Sequence, residues 1–402
     1  MKRLPIYGQA LLHFLAFDRR AAEGDYRLND AEWQLLLQFC DRHQLTLLLG
    51  DVRGEAAPQW VRRRLQSNYC DQRLRLTLIQ MTVAELAVHL RAQGIRFLLL
   101  KGFAHGEEFT PDPVLRSQGD IDIWCLPEAA EAAQRALSEL GFYAVGEANS
   151  RHLAPMIREK HWNWTGNYFQ PDLPIPIDLH HTLWDGSWEG IPGPDERAMW
   201  ERQATLPAGR ERVACLDLVD TLAFAALHSF MHILHGDLKL NRAWELAYFL
   251  RRHLEDEATW SHWLSRFDGP ARQSQLIVFA LAERWFGCGM PCALEESLAA
   301  LPRETKLWLE QFSWSPVEAL FTPNKDELWL HLSLLRQKRE RARLLWRRLV
   351  PTHAKVASLG RSSGQAGAKM NFLMTRGYYH TAALVTCAAR GLRWWRILQS
   401  GR

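Results

Sequence analysis

The sequence has no run of eighteen uncharged apolar residues, so no membrane span is expected. It has no internal repeat and no low-complexity tract. The opening MKRLPIYGQALLHFLAFDRR lacks a small-residue cleavage site, so no signal peptide is expected. Its seven cysteines are odd in number and scattered, which argues against a disulfide framework and for a reducing, cytoplasmic setting. Acids are almost missing from residues 336–402, where fifteen basic residues face the single Glu340, a net +14 that leaves the rest of the chain at −10. What remains is ordinary: 402 residues, 47% hydrophobic and 23% charged, with enough chain for two or three domains. A secreted mini-domain, an integral membrane protein and a disordered tail protein are excluded. The basic tail points to an anionic partner, whether a membrane surface contacted peripherally, an anionic glycan or nucleic acid, and equally to a basic helix packed on the acidic body.

Residues 1–93 read as helices, with apolar residues three and four apart in ALLHFLAF, AEWQLLLQFCDRH and TLIQMTVAELAVHLRAQG. The period then changes. Residues 95–100 form a short apolar run closing on Lys101-Gly102, suited to a buried strand, and residues 119–124 (GDIDIW) alternate as a half-buried strand does. A helix is expected over 127–142, then a hairpin-like stretch at 161–169. Residues 175–180 (IPIDLH) follow as a strand, and the two prolines bracketing Ile175 mark either an edge strand or a strand entry. From about 193 to 350 the pattern is helical again, and 351–370 is rich in Pro, Gly and Ser, as a linker is. The expected division is 1–93 helical, 94–190 an α/β core, 191–350 helical and 351–402 a basic segment. The fold class is α+β, a small mixed sheet embedded in a predominantly helical protein.

The chemistry concentrates in three acids. On a strand, Asp120 and Asp122 point to one face about 6–7 Å apart, while Ile121, Ile123 and Trp124 supply the buried side. Two adjacent carboxylates repel unless a cation lies between them, and Mg²⁺ takes such oxygen ligands. Asp178, between Ile177 and Leu179, is a third acid on a strand. If the two strands pair, three carboxylates converge in the arrangement used for two-metal phosphoryl or nucleotidyl transfer. Upstream, the strand running into Lys101-Gly102 can present backbone N–H groups to a phosphate, with Lys101 and Arg116 adding positive charge.

Taken together, Lys101-Gly102, Arg116, Gly119-Asp120-Ile121-Asp122-Ile123 and Ile177-Asp178-Leu179-His180 resemble the polymerase-β-type nucleotidyltransferase superfamily. More narrowly they resemble the bacterial nucleotidyltransferase family proteins often associated with polysaccharide or peptide-modification gene clusters. The resemblance covers roughly residues 85–250. It implies a Mg²⁺-dependent enzyme, with two ions held by Asp120, Asp122 and Asp178, that moves a nucleoside monophosphate from an ATP-like triphosphate to an acceptor hydroxyl. The acceptor is a small molecule, a glycan precursor or a peptide. Gly102 would be the triphosphate-loop glycine, with Lys101, Arg116 and His180 as nucleotide contacts. The sequence departs from the pattern in having Phe103 after Gly102 and a long interval from Gly102 to Asp120. A catalytically degenerate scaffold of the same fold is the alternative.

Other constellations compete. His228, His232 and His235 lie on one helical face, a spacing that can bind Zn²⁺, and His228 and His235 can equally contact a nucleotide. The segment from His235 to Asn241 imitates a small-molecule kinase loop with Asp237 as its acid, yet no Gly-rich phosphate loop precedes it. A D-x-D glycosyltransferase would need alternating strands and helices before the motif, and the first ninety residues are helical. The eighteen tryptophans offer stacking surfaces but serve equally as core aromatics.

Overall fold

The computed structural model describes residues 4–18, 26–53, 57–322, 324–335, 337–349, 385, 387–396 and 398–399. The linker expected at 351–370 lies outside them. The chain divides into two compact units, one of Ile6–Ser229 and Lys239–Ser297, the other of Met1–Pro5, Phe230–Leu238 and Leu298–Arg402.

The first unit holds a mixed sheet of β1 (Leu98–Leu100), β2 (Ile121–Trp124), β3 (Tyr143–Ala144), β4 (Met156–Ile157), β5 (Ile177–His180), β6 (Gln203–Ala208) and β7 (Glu211–Leu216). Their order across the sheet is β3-β4-β5-β2-β1-β7-β6. β1 runs antiparallel to β2 and parallel to β7, and β2 runs parallel to β5. With helices dominating the rest of the chain, the fold is α+β as expected.

One face of the middle strands is wholly apolar, while the other mixes apolar residues with Asp122, Asp178 and His180. Leu99, Ile121, Ile123, Ile177 and Leu179 join a core under two helices, Gln59–Ala92 and Pro127–Glu139. Burying each such side chain contributes roughly 1.5–3 kcal/mol. Leu98, Leu100 and Trp124 point the other way, into a second cluster with Leu183, Met199, Trp200, Leu216 and Phe224. The helix Gln59–Ala92 is about 50 Å long at 1.5 Å per residue. Its inward stripe is mainly apolar from Ile79 to Leu90, begins with Val61 and Leu65, and is polar between them, at Asn68, Gln72 and Arg75.

Several expectations are corrected here. Residues 161–169 form no strand; β5 is interior, with β4 supplying its second neighbour at Met156–Ile177, so of the two readings of the prolines the strand entry holds and the edge does not. Pro176 tolerates this because it sits just before the strand and contributes its carbonyl, which accepts from the Ile121 N–H at 2.8 Å. Within the stretch read as helical, β6 and β7 form a hairpin across Gly209 (φ 63°) and Arg210. Trp124 shares the face of Asp122, two residues away, rather than that of Ile121 and Ile123.

In the second unit, the fully buried Asp326 accepts from Ser315 Oγ and Arg390, and its carbonyl accepts from Trp308 Nε1 at 2.8 Å. Arg390 also lies 3.5 Å from Glu318, and Arg348 lies 3.8 Å from Glu327. Part of the basic segment's charge is therefore matched internally. Among the described residues one helix, Leu218–His235, is long and apolar enough to cross a membrane; 78% of it is buried, as in a core helix.

Candidate active site

Strand pairing assembles the site. β2 and β5 run parallel in the register Ile121–Ile177, Asp122–Asp178, Ile123–Leu179 and Trp124–His180. Two residues opposite each other on neighbouring parallel strands share a face, so Asp122 and Asp178 stand side by side, with Asp120 just before β2. One carboxylate oxygen from each of the three lies within 4.8 Å of the others. Among the described residues this is the only group of three His, Cys, Asp or Glu side chains so placed. An all-oxygen donor set at that spacing fits a hard divalent cation.

The three acids are not equivalent. Burial, then the charge of Asp122, pushes Asp120 up to about 6, and the same two causes push Asp178 up to about 6. For Asp122 burial works in the same direction but is overridden. Lys101 Nζ lies 2.8 Å from its Oδ1, and His180 Nε2 donates to the same oxygen at 2.9 Å, so Asp122 is held well below the usual carboxylate range. His180, two residues past Asp178 and on the same face, is pushed down to about 4 by burial and by Lys101, and so donates as a neutral imidazole.

Lys101 and Gly102 make the turn that leaves β1 opposite Asp122. Both have positive φ, 41° and 37°, and Lys101 also lies 5.7 Å from the Phe224 ring centroid. A Cβ on Gly102 would stand 2.4 Å from Gln118 Nε2, which donates to the Asp120 carbonyl at 2.7 Å. The dihedral angle favours glycine here, and a Cβ would push the Gln118 amide away from the Asp120 carbonyl.

Arg116 is held from the helix Leu240–Arg252. Its Nε lies 3.1 Å from Oε1 of Glu245, a carboxylate only 3% exposed that also takes His105 at 3.0 Å and Asn241 at 3.2 Å. Burial opposes the charge of Glu245, but Arg116 and His105 win and bring it down to about 2. Arg242, on the same helix, lies within electrostatic reach of Glu245, Asp120 and Asp122, and its Nη1 is 3.3 Å from His228 Nε2. His228 stacks on Phe224. His235 ends its helix in the other compact unit, where His232 Nδ1 is 2.9 Å from Asp237 Oδ1. The three histidines form no metal-holding group among the described residues.

Sequence reasoning missed Arg75, Gln118, Arg242 and Glu245. Arg75, Arg242 and Glu245 are charged residues within helices, and the only signal was that they share the inward spacing of apolar neighbours.

A family model described as an uncharacterised nucleotidyltransferase matches residues 29–287, well over half of the chain and all of the sheet and carboxylate site. No curated protein and no solved structure matches the chain.

Proposed function

The chain belongs to that family of nucleotidyltransferases, and from this premise we propose that it transfers a nucleoside monophosphate from a nucleoside triphosphate to an acceptor hydroxyl with Mg²⁺. The single observation that carries the reading is the convergence of Asp120, Asp122 and Asp178 to within 4.8 Å. These carboxylates would hold the divalent ions, two in number, which supply charge neutralisation of the triphosphate and activation of the attacking hydroxyl.

The chain's own groups do the rest. The Lys101-Gly102 turn offers backbone N–H groups and an ammonium to the phosphates, and Arg116 and Arg242 add two guanidinium groups from the side of Glu245. Neutral His180 donates to Asp122 and fixes its orientation. Buried charge of both signs at one place is costly unless paired, and a triphosphate completes the pairing for the cations. The acceptor is a small molecule, a glycan precursor or a peptide. We place the reaction in the cytoplasm, and the basic segment beyond residue 336 supports contact with an anionic surface.

The test is incubation with α- or γ-labelled nucleoside triphosphates and a panel of small-molecule, glycan and peptide acceptors. The expected product carries the α-label with pyrophosphate released, and Asp122→Ala abolishes it while remaining folded. Label transferred from the γ-position would instead identify a kinase. Full activity in Asp122→Ala would contradict the reading.

A further inference from the structure

The guanidinium of Arg75 bridges the two loops that deliver the carboxylates, and we propose that Arg75 is a positioning residue that sets the spacing of Asp120 and Asp122 against Asp178. This rests on the reading that the triad holds divalent cations.

Arg75 lies on the helix Gln59–Ala92, behind the sheet, and is 3% exposed. Its Nε donates to the Gln118 carbonyl at 3.2 Å and its Nη2 to that of Gly119 at 3.2 Å. Nη1 donates to the Leu173 carbonyl at 2.8 Å, and Nη2 also to that of Pro174 at 3.0 Å. Two of these carbonyls belong to the loop that ends in Asp120, and two to the loop that leads through Pro176 into Asp178. One turn earlier, Gln72 Nε2 donates to the Arg116 carbonyl at 3.0 Å. The polar stretch of the helix is thus a rail on which the chain entering β2 is hung, and only Arg75 reaches both loops.

A planar fork with five N–H donors can hold four carbonyls in fixed directions; a lysine ammonium with three rotatable donors cannot. A bulky apolar residue would fill the space and leave four carbonyls, that of Gln118 buried and the others partly buried, without this donor. The negative charges nearest to offset burial of the guanidinium are Glu159 and Asp120. The apolar packing from Ile79 to Leu90 holds the helix on the sheet independently of Arg75. The clamp therefore sets loop position, and with it the separation of ligands from two different strands. Residues that orient metal ligands without touching the metal typically contribute about 10–100-fold in affinity.

The experiment is Mn²⁺ binding, followed by electron paramagnetic resonance and calorimetry, on the wild-type chain, Arg75→Lys and Arg75→Ala, with thermal melting of each. Arg75→Lys should melt cooperatively and bind Mn²⁺ about 10-fold or more weakly. Millimolar guanidinium, but not ammonium, should restore much of the Mn²⁺ affinity of Arg75→Ala, which general loss of packing would not do. Wild-type Mn²⁺ affinity in a folded Arg75→Lys would overturn the proposal and leave the metal reading standing. Failure of Arg75→Lys to fold would overturn it too, by making the residue a requirement for the sheet itself. Absence of Mn²⁺ binding in the wild-type chain would sink the underlying reading instead.

Discussion

Asp122 and Asp178 face each other across adjacent parallel strands, fifty-six positions apart in sequence and one strand apart in space. Parallel pairing makes this juxtaposition obligatory: a slip of one residue would turn Asp178 into the helix-covered core and bring Leu179 to the site. The register is held by Ile121, Ile123, Ile177 and Leu179, all buried in the same cluster. The same apolar residues that stabilise the sheet therefore set the spacing of its acids.

Metal binding should depend steeply on pH. Asp120 and Asp178 both titrate at about 6, so a divalent cation arriving below that pH must displace protons. Affinity for Mn²⁺ is expected to rise as pH increases through about 6 and to level off above it. Without metal the linkage has the opposite sense. Both folded values lie above the unfolded one, so the stability these groups contribute is present below about 4 and lost as pH rises through about 6. Calorimetric titration at pH 5 and pH 8, in buffers of differing ionisation enthalpy, would register proton release on the acid side only. Equal affinity at the two values would contradict the assignment.

Gly102→Ala should destabilise the fold by about 1–3 kcal/mol, because the new Cβ meets the Gln118 amide at a residue with φ 37°. The loss is local to the Asp120 loop, since Gln118 holds the Asp120 carbonyl. Thermal melting together with Mn²⁺ affinity measures both effects, and an unchanged pair of values would contradict the account of this turn.

Glu245→Gln should lower stability at neutral pH by about 3 kcal/mol, the usual cost of leaving a buried ionic partner unmatched. Arg116 loses the carboxylate that holds it, so affinity for tripolyphosphate should fall as well. In the wild-type chain the contribution of Glu245 is present above about pH 4.5 and lost as pH falls through about 2. Chemical denaturation of both chains at pH 7 reads the stability difference, and no difference would mean the ion pair contributes nothing net.

The acids were legible in sequence because each sits between apolar residues, and strand alternation converts that pattern into a shared face. Lys101, Gly102 and Arg116 stood out as a strand end with positive charge nearby, and His180 only through the family resemblance; the partners of Arg116 and His180 were not legible. Trp124 was misplaced because an apolar residue reads as core on the assumption of one buried face, whereas β2 is buried on both. The hairpin of β6 and β7 was hidden by Pro207 in the first strand and by Glu211 and Arg212 at the start of the second. Arg75, Arg242 and Glu245 could not be singled out, since a charged residue in a helix ordinarily marks a solvated face. Only the tertiary packing shows that the helices Gln59–Ala92 and Leu240–Arg252 turn those charges inward.

The most direct measurement is Mn²⁺ titration of the wild-type chain and of Asp178→Ala, the one acid supplied by the second strand. The account predicts saturable binding in the wild type that is lost, or at least tenfold weaker, in Asp178→Ala with the fold intact. Undiminished binding in Asp178→Ala would show that the pair at 120 and 122 acts without it, and would contradict a site built by joining β2 to β5.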